Sequence, residues 1–490
     1  MEKRERFSSR LGFILVSAGC AIGLGNVWKF PYMCGENGGA VFILIYLLFL
    51  VIMGLPILVS EFAIGRASQR GIATALSELE PADRHWHMFR WFCMAGSIIL
   101  MMFYTVACGW MLNYAFRMIT GTMTGLPAEE VPLQFVNMLA SPGTMVFWTV
   151  ITVVFCFAIC ACGVQQGVER VSKWMMICLL VLMVILAIHS VLIPGAVEGI
   201  KFYLVPDFQR VREVGLINVV FAALTQAFFT LGIGVGSMAI FGSYLDDKRS
   251  LTGEAVHIIL LDTFVALTAG FIIIPACFAY GIRPDSGPPL LFITLTSVFN
   301  DMPMGRLWGS AFFLFMSFAA LTTVVAMFEN QISFSVDMLG WTRKKSVAVN
   351  LCAMLVLTLP AALGYNVLSA FEPLGPGTAV LDFEDFIVSD NLLPIGGAMM
   401  LLFCSAKHGW GFDNFLEEAN RGEGMKFPVK FRGYMTYVLP TVLVVLYFRG
   451  FTAKIANVGP TGRMIYIVCA AIYVAFVAYI VFGKRRKQSI

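Results

Sequence analysis

Long apolar runs separated by short polar stretches fill most of the chain. Twelve can be marked, near 11–33, 39–64, 87–119, 145–163, 174–193, 217–243, 254–282, 304–338, 346–364, 382–406, 431–449 and 463–483. Each approaches or exceeds the roughly 20 residues that a helix needs to cross the hydrocarbon core, so the pattern predicts an all-α membrane protein of about twelve spans. The connections, such as GTMTGLPAEEVPLQ and FEPLGPGTAV, are rich in Gly, Pro and charge. They read as interhelical loops and not as flexible linkers between domains.

Two runs break the helical pattern. The first contains Gly19, Gly23 and Gly25 in GCAIGLGNVWKFP, and the sixth contains Gly232, Gly234 and Gly236 in FFTLGIGVGS. A glycine weakens a helix by about 1 kcal/mol relative to alanine, so such clusters at mid-depth suit close helix packing or an interrupted helix. Their spacing, five spans apart, matches transporters built from two inverted halves with a discontinuous helix at the same place in each. An interruption exposes backbone N–H groups at one new end and C=O groups at the other, and in hydrocarbon these demand polar partners. A carboxylate suits the first set and a desolvated monovalent cation the second; an amino acid with a sodium ion supplies both.

Composition narrows the classes. Of 490 residues, 59% are hydrophobic and 13% charged, against about 25% charged in a soluble globule, which leaves no room for a large water-soluble domain. The net charge of +4 is dispersed among apolar runs and offers no continuous cationic face, so no nucleic-acid partner is expected. Most of the 12 cysteines lie within apolar runs, where they read as small membrane-core residues and not as a disulfide framework. With both termini inside, the larger share of the 34 lysines and arginines falls on the cytoplasmic side, as the positive-inside bias requires. No small-residue cleavage site follows MEKRERFSSR, so no removable signal peptide is expected. Neither HExxH nor a convincing Ser-His or paired-Asp signature is present, and no enzymatic activity is expected.

The stretch from Arg10 to Arg66, running RLGFILVSAGCAIGLGNVWKFPYMCGENGGA through GLPILVSEFAIGR, resembles the neurotransmitter:sodium symporter family, bacterial sodium-dependent amino acid transporters among them. The likeness continues through FFTLGIGVG, AALTT and LDFEDF to about residue 430. It implies a 5+5 inverted-repeat fold with discontinuous helices 1 and 6: a cytoplasmic segment 1–10, a first half 11–193, a second half 217–406, two further helices over 431–483 and a basic cytoplasmic tail 484–490. The setting implied is the plasma (inner) membrane.

The same resemblance implies two sodium sites. One would use Gly19, Ile22, Ala319, Thr322 and Thr323; the other, touching the substrate carboxylate, would use Ala21, Asn26, Thr230 and Asp262. Relatives commonly carry Asn where Asp262 stands, and an aspartate within a span is costly unless it has a partner, which marks it as functional. Ala266, four residues on, replaces the serine or glutamate associated with chloride in relatives, although Tyr46 and Gln226 match other chloride positions. The expectation is that Asp262 supplies the fixed negative charge and that chloride is not required.

For the substrate, the resemblance places a carboxylate against the N–H groups of Leu24 and Gly25 and the hydroxyl of Tyr104. The amine would face carbonyls of Ala21, Phe229 and Thr230, and the side chain would lie among Leu100, Phe229, Gly232, Val235, Thr323 and Met327. Monoamine carriers have an aspartate where Gly23 stands, so the ligand is expected to bring its own carboxylate. An outer gate of Lys29 with Asp385, and an inner gate of Arg4 with Asp337 beside Ser243 and Tyr244, complete the expectation. The function implied is sodium-coupled symport of a neutral, hydrophobic or aromatic amino acid into the cell by alternating access. A channel or amino-acid sensor on the same scaffold, or a carrier driven by another ion, is the alternative.

Overall fold

A computed structural model describes residues 9–127, 129–281 and 290–484. Among them, ten helices are long and apolar enough to cross a membrane, and as many as twelve if each of two bent helix pairs is one span. All twelve apolar runs become helical. Span 1 is the pair Arg10–Ala21 and Gly25–Glu36, bent by 56°. Spans 2 to 5 are Ala40–Ser68, Trp86–Thr120, Pro142–Ala161 and Val164–Leu192. Span 6 opens with Leu216–Thr230. Spans 7 to 12 are Leu251–Ala279, Gly305–Leu339, Arg343–Leu363, Val380–Ser405, Val429–Ile455 and Pro460–Phe482.

Span 1 starts where the Ser9 hydroxyl accepts the Gly12 N–H, a side-chain cap for an otherwise orphaned donor. It leaves the helix at Ile22, whose φ of −70° and ψ of 100° are extended, and resumes after Gly23. In span 6 the helix is lost at Leu231–Gly236 and returns as Ser237–Gly242. Gly232, Gly234 and Gly236 have φ of 59°, 109° and 70°, a region that costs other residues roughly 1–2 kcal/mol each. Gly234 is constrained twice, because an added Cβ would overlap the Leu393 carbonyl of span 10. A second, sharper bend of 93° separates Phe208–Val214 from Leu216–Thr230. It lies at Gly215, before the apolar run begins, and is distinct from the interruption that the glycines marked.

Span 8 is the central post, 83% of its most apolar stretch being buried; the corresponding share of span 12 is 11%. Exposed side chains such as Ile188, Val356, Phe448 and Ile472 cover the outside of the bundle with apolar surface, the inverse of a soluble protein. Short helices that the apolar pattern did not predict, Glu130–Ala140, Val197–Leu204, Phe208–Val214 and Phe412–Ala419, lie in the connections.

Candidate transport site

The break in span 1 faces spans 3 and 8. The freed Leu24 N–H donates to the Tyr104 hydroxyl at 2.8 Å, and the Gly23 N–H donates to Asn26 Oδ1 at 3.1 Å. Gly23 admits no side chain: a Cβ would overlap Tyr104 Oη and lie 2.7 Å from Thr323 Oγ1. Gln226 of span 6 donates through Nε2 to the Gly25 carbonyl at 2.9 Å, tying the upper halves of the two broken spans together.

Below the break lies a cluster of neutral oxygens. Thr323 Oγ1 is 3.2 Å from the Gly19 carbonyl, 3.2 Å from that of Ile22 and 3.3 Å from that of Ala319. A hydroxyl has one proton, so it satisfies one of these three acceptors and leaves lone pairs of the others converging on one point. That surplus suits a small hard cation. Thr322 behaves differently, its hydroxyl bonding back at 3.0 Å to the Phe318 and Ala319 carbonyls of its own helix. The first expected set is thus brought together, with Thr323 reaching across to span 1 and Thr322 turned to span 8.

Beside it stands a cluster built on a carboxyl group. The Asp262 carboxylate, wholly buried, accepts Asn26 Nδ2 at 2.8 Å on one oxygen and Thr230 Oγ1 at 3.2 Å on the other. Asn26 Nδ2 also lies 3.2 Å from the Asp262 carbonyl. Three of the four residues expected at the second site therefore meet, drawn from spans 1, 6 and 7. Nearby polar atoms are less well served: Tyr46 Oη and Gln226 Oε1 are buried without a hydrogen-bond partner among the described residues. Ala266 is buried and carries no polar side chain.

Glu61 of span 2 is the main participant that the sequence did not explain. Its carboxyl group accepts the Gly234 N–H at 2.6 Å and the Met238 N–H at 3.0 Å, so the lower half of span 6 receives its acceptor from the protein itself. The signal available was an ionisable residue inside an apolar run, which marked importance without naming a partner 173 residues away.

An outer cavity of about 230 Å³ descends to Leu24, Tyr104 and Phe229, with Trp28, Asp382 and Lys454 on its wall. Leu100, Gly232, Val235, Thr323 and Met327 do not line it; all but the half-buried Gly232 are buried. At Gly232 a Cβ would meet nothing within 4 Å, so space remains there. The expected Lys29–Asp385 ion pair is not formed. Lys29 Nζ instead lies 3.9 Å from the centre of the Phe229 ring, and Asp385 accepts the Ser389 hydroxyl at 2.6 Å. The open cavity between the walls is the physical reason, since both residues line it.

On the opposite face Arg4 lies outside the described residues. Asp337 accepts the Gly71 N–H at 3.3 Å and stands 4.0 Å from Arg70, a contact that the sequence did not suggest. The Tyr244 hydroxyl donates to Glu329 at 3.4 Å, and Glu329 holds Arg343 at 2.6 and 3.0 Å. The Ser243 hydroxyl donates to the Ile240 carbonyl at 2.6 Å, within its own half-helix.

Residues 4–127 and 128–467 match the model of the sodium:neurotransmitter symporter family. The chain belongs to that family. It is a multi-pass membrane protein and a sodium-dependent transporter. An uncharacterized sodium-dependent transporter of Bacillus subtilis (strain 168), YhdH, is 33% identical over 91% of this chain and 97% of its own length. The sodium-dependent serotonin transporter of Drosophila melanogaster is 26% identical over 91% of this chain and 76% of its own. Among solved structures, that of MhsT in complex with L-phenylalanine has 35% identity and a TM-score of 0.81, covering 91% of this chain and 100% of MhsT. The symporter fold expected from the two glycine-marked breaks is the fold observed.

Proposed function

We propose that the protein carries a neutral amino acid with a hydrophobic or aromatic side chain into the cell together with sodium, by alternating access. The observation that carries this reading is the juxtaposition at the span 1 break: a helix N-terminal N–H and a tyrosine hydroxyl, with two oxygen clusters adjoining and open space at Gly232. A substrate carboxylate displaces the Tyr104 hydroxyl from Leu24 N–H and accepts from both. The amine meets carbonyls of the unwound segments, and the side chain enters the space beside Gly232. MhsT, crystallised with L-phenylalanine, supports a side chain of that size.

Sodium is cargo. One ion would sit among the Gly19, Ile22 and Ala319 carbonyls with Thr322 and Thr323. A second would sit between the Asp262 cluster and the substrate carboxylate, with Ala21, Asn26 and Thr230. Asp262, in its ionised form, supplies negative charge at that place, which makes a bound chloride unnecessary. Substrate and ions complete one another's sites, so each raises the affinity of the other and biases the same equilibrium between outward and inward forms. The two five-span halves rock about the site, with Lys29 and Asp385 closing above it and Arg4 and Asp337 below, and both termini face the cytoplasm.

Purified protein in liposomes, offered labelled phenylalanine, leucine, glutamate or lysine, tests this. Phenylalanine and leucine should accumulate when sodium is outside and not when choline replaces it, with or without chloride. Equal uptake in choline, or a preference for the charged amino acids, would overturn the reading.

A further inference from the structure

Three of the chain's five histidines gather away from the transport site, where the connection 80–89 meets the ends of spans 10 and 12. At the centre is Arg84, 5% exposed. One of its amines lies 2.8 Å from His408 Nδ1, and the other donates at 3.3 Å to the carbonyls of both Phe482 and Gly483. These carbonyls close the last turn of span 12, where acceptors have no partner within the helix and a cation is favoured. Span 12 needs this fastening, because Ile480 and Val481, in that same turn, are its buried residues. Most of the span also lies beyond residue 467, where the family match stops.

A guanidinium only donates, so His408 Nδ1 must be bare and the ring neutral for this contact to exist. We propose that Arg84 and His408 form a proton-sensitive clamp that holds the end of span 12 to the bundle and releases it when His408 is protonated. Protonation sets a donor and a like charge against the guanidinium. The surroundings do not cancel it. Asp83 is 3.8 Å from Arg84 and half exposed, which screens it. Glu80 is engaged with His87, at 2.7 Å to the ring and 3.0 Å to the backbone N–H. His85 stacks on Tyr479 with its Nε2 3.3 Å from the phenol, while Lys407 and Lys484, adjacent in sequence to His408 and Gly483, add positive charge. The backbone of His408 stays in place meanwhile, because Trp86 Nε1 donates to its carbonyl at 2.7 Å.

Hydrogen exchange and thermal melting of the purified full chain, from about pH 8 to about pH 5 where imidazoles titrate, test the clamp without reference to transport. The parent should lose protection in the last turn of span 12 and melt lower in acid. His408→Gln, whose carbonyl accepts from Arg84 without titrating, should keep that protection and melt like the parent at the upper pH. His408→Lys should resemble the acidified parent throughout. Loss of protection in His408→Gln equal to that of the parent would overturn the proposal, as would full protection in His408→Lys.

Discussion

The two oxygen clusters that flank the break in span 1 are built on opposite principles. One gathers the Gly19, Ile22 and Ala319 carbonyls around a single threonine hydroxyl and carries no formal charge. The other is organised by Asp262, buried and held by Asn26 and Thr230. The neutral cluster has more acceptors than the Thr323 hydroxyl can serve, so a cation engages lone pairs that are left over. The carboxyl cluster already has two donors, and a cation there must compete with them, with the attraction of an ionised carboxylate strengthened by a medium of low dielectric. Ions at the two places should therefore differ in how strongly they answer to a single substitution.

Asp262→Asn is the largest such test. The change replaces the carboxyl group with an amide of the same shape, so sodium-dependent substrate binding should fall by about ten- to a hundredfold, near the 1.5–3 kcal/mol of a hydrogen-bonding group that carries charge. Restoration of binding by chloride would show that the carboxylate stands in for an anion. Gly23→Ala comes next: its methyl overlaps the Tyr104 hydroxyl, and equilibrium binding of labelled phenylalanine should be lost while sodium-induced stabilisation by the neutral cluster partly survives. Thr323→Val should weaken sodium about tenfold, near the 1–1.5 kcal/mol of one hydrogen-bonding group, with Thr323→Ser close to the parent. Thr322→Val should change sodium affinity less than Thr323→Val, because its hydroxyl is bonded within span 8. Equal effects at the two threonines would erase the asymmetry. Smallest in its effect on binding is Gly232→Ala, which should move preference from phenylalanine toward smaller side chains by a few fold in competition assays and, because its φ is 59°, lower the melting temperature of the protein as well.

Much of this arrangement can be read from the chain. Apolar run length gives the spans, and glycine clustering gives both breaks, because those signals are local. The sites of Asn26, Thr230, Asp262 and Thr323 follow from motif resemblance and not from periodicity, since their partners come from spans up to 304 residues apart. Glu61 and Arg343 carry no local mark of the backbone and carboxylate groups that they serve. The separation of Lys29 from Asp385 across an open cavity has no local mark either, because it is set by how far the walls stand apart and not by either segment. Asp337 shows the same limit, as its neighbour in this structure is the turn at Arg70 and Gly71.

The unfilled space beside Gly232 bears on how such a carrier chooses its passenger. A closely packed interior penalises every missing methylene by the contacts that its lining atoms forgo. In the proposed binding mode, a wall left without a side chain makes the protein depend on the cargo to finish its own packing. Selectivity then needs no dedicated recognition group: a guest that is too small leaves the wall unsupported, and one that fits becomes, for the length of the crossing, a residue of the core.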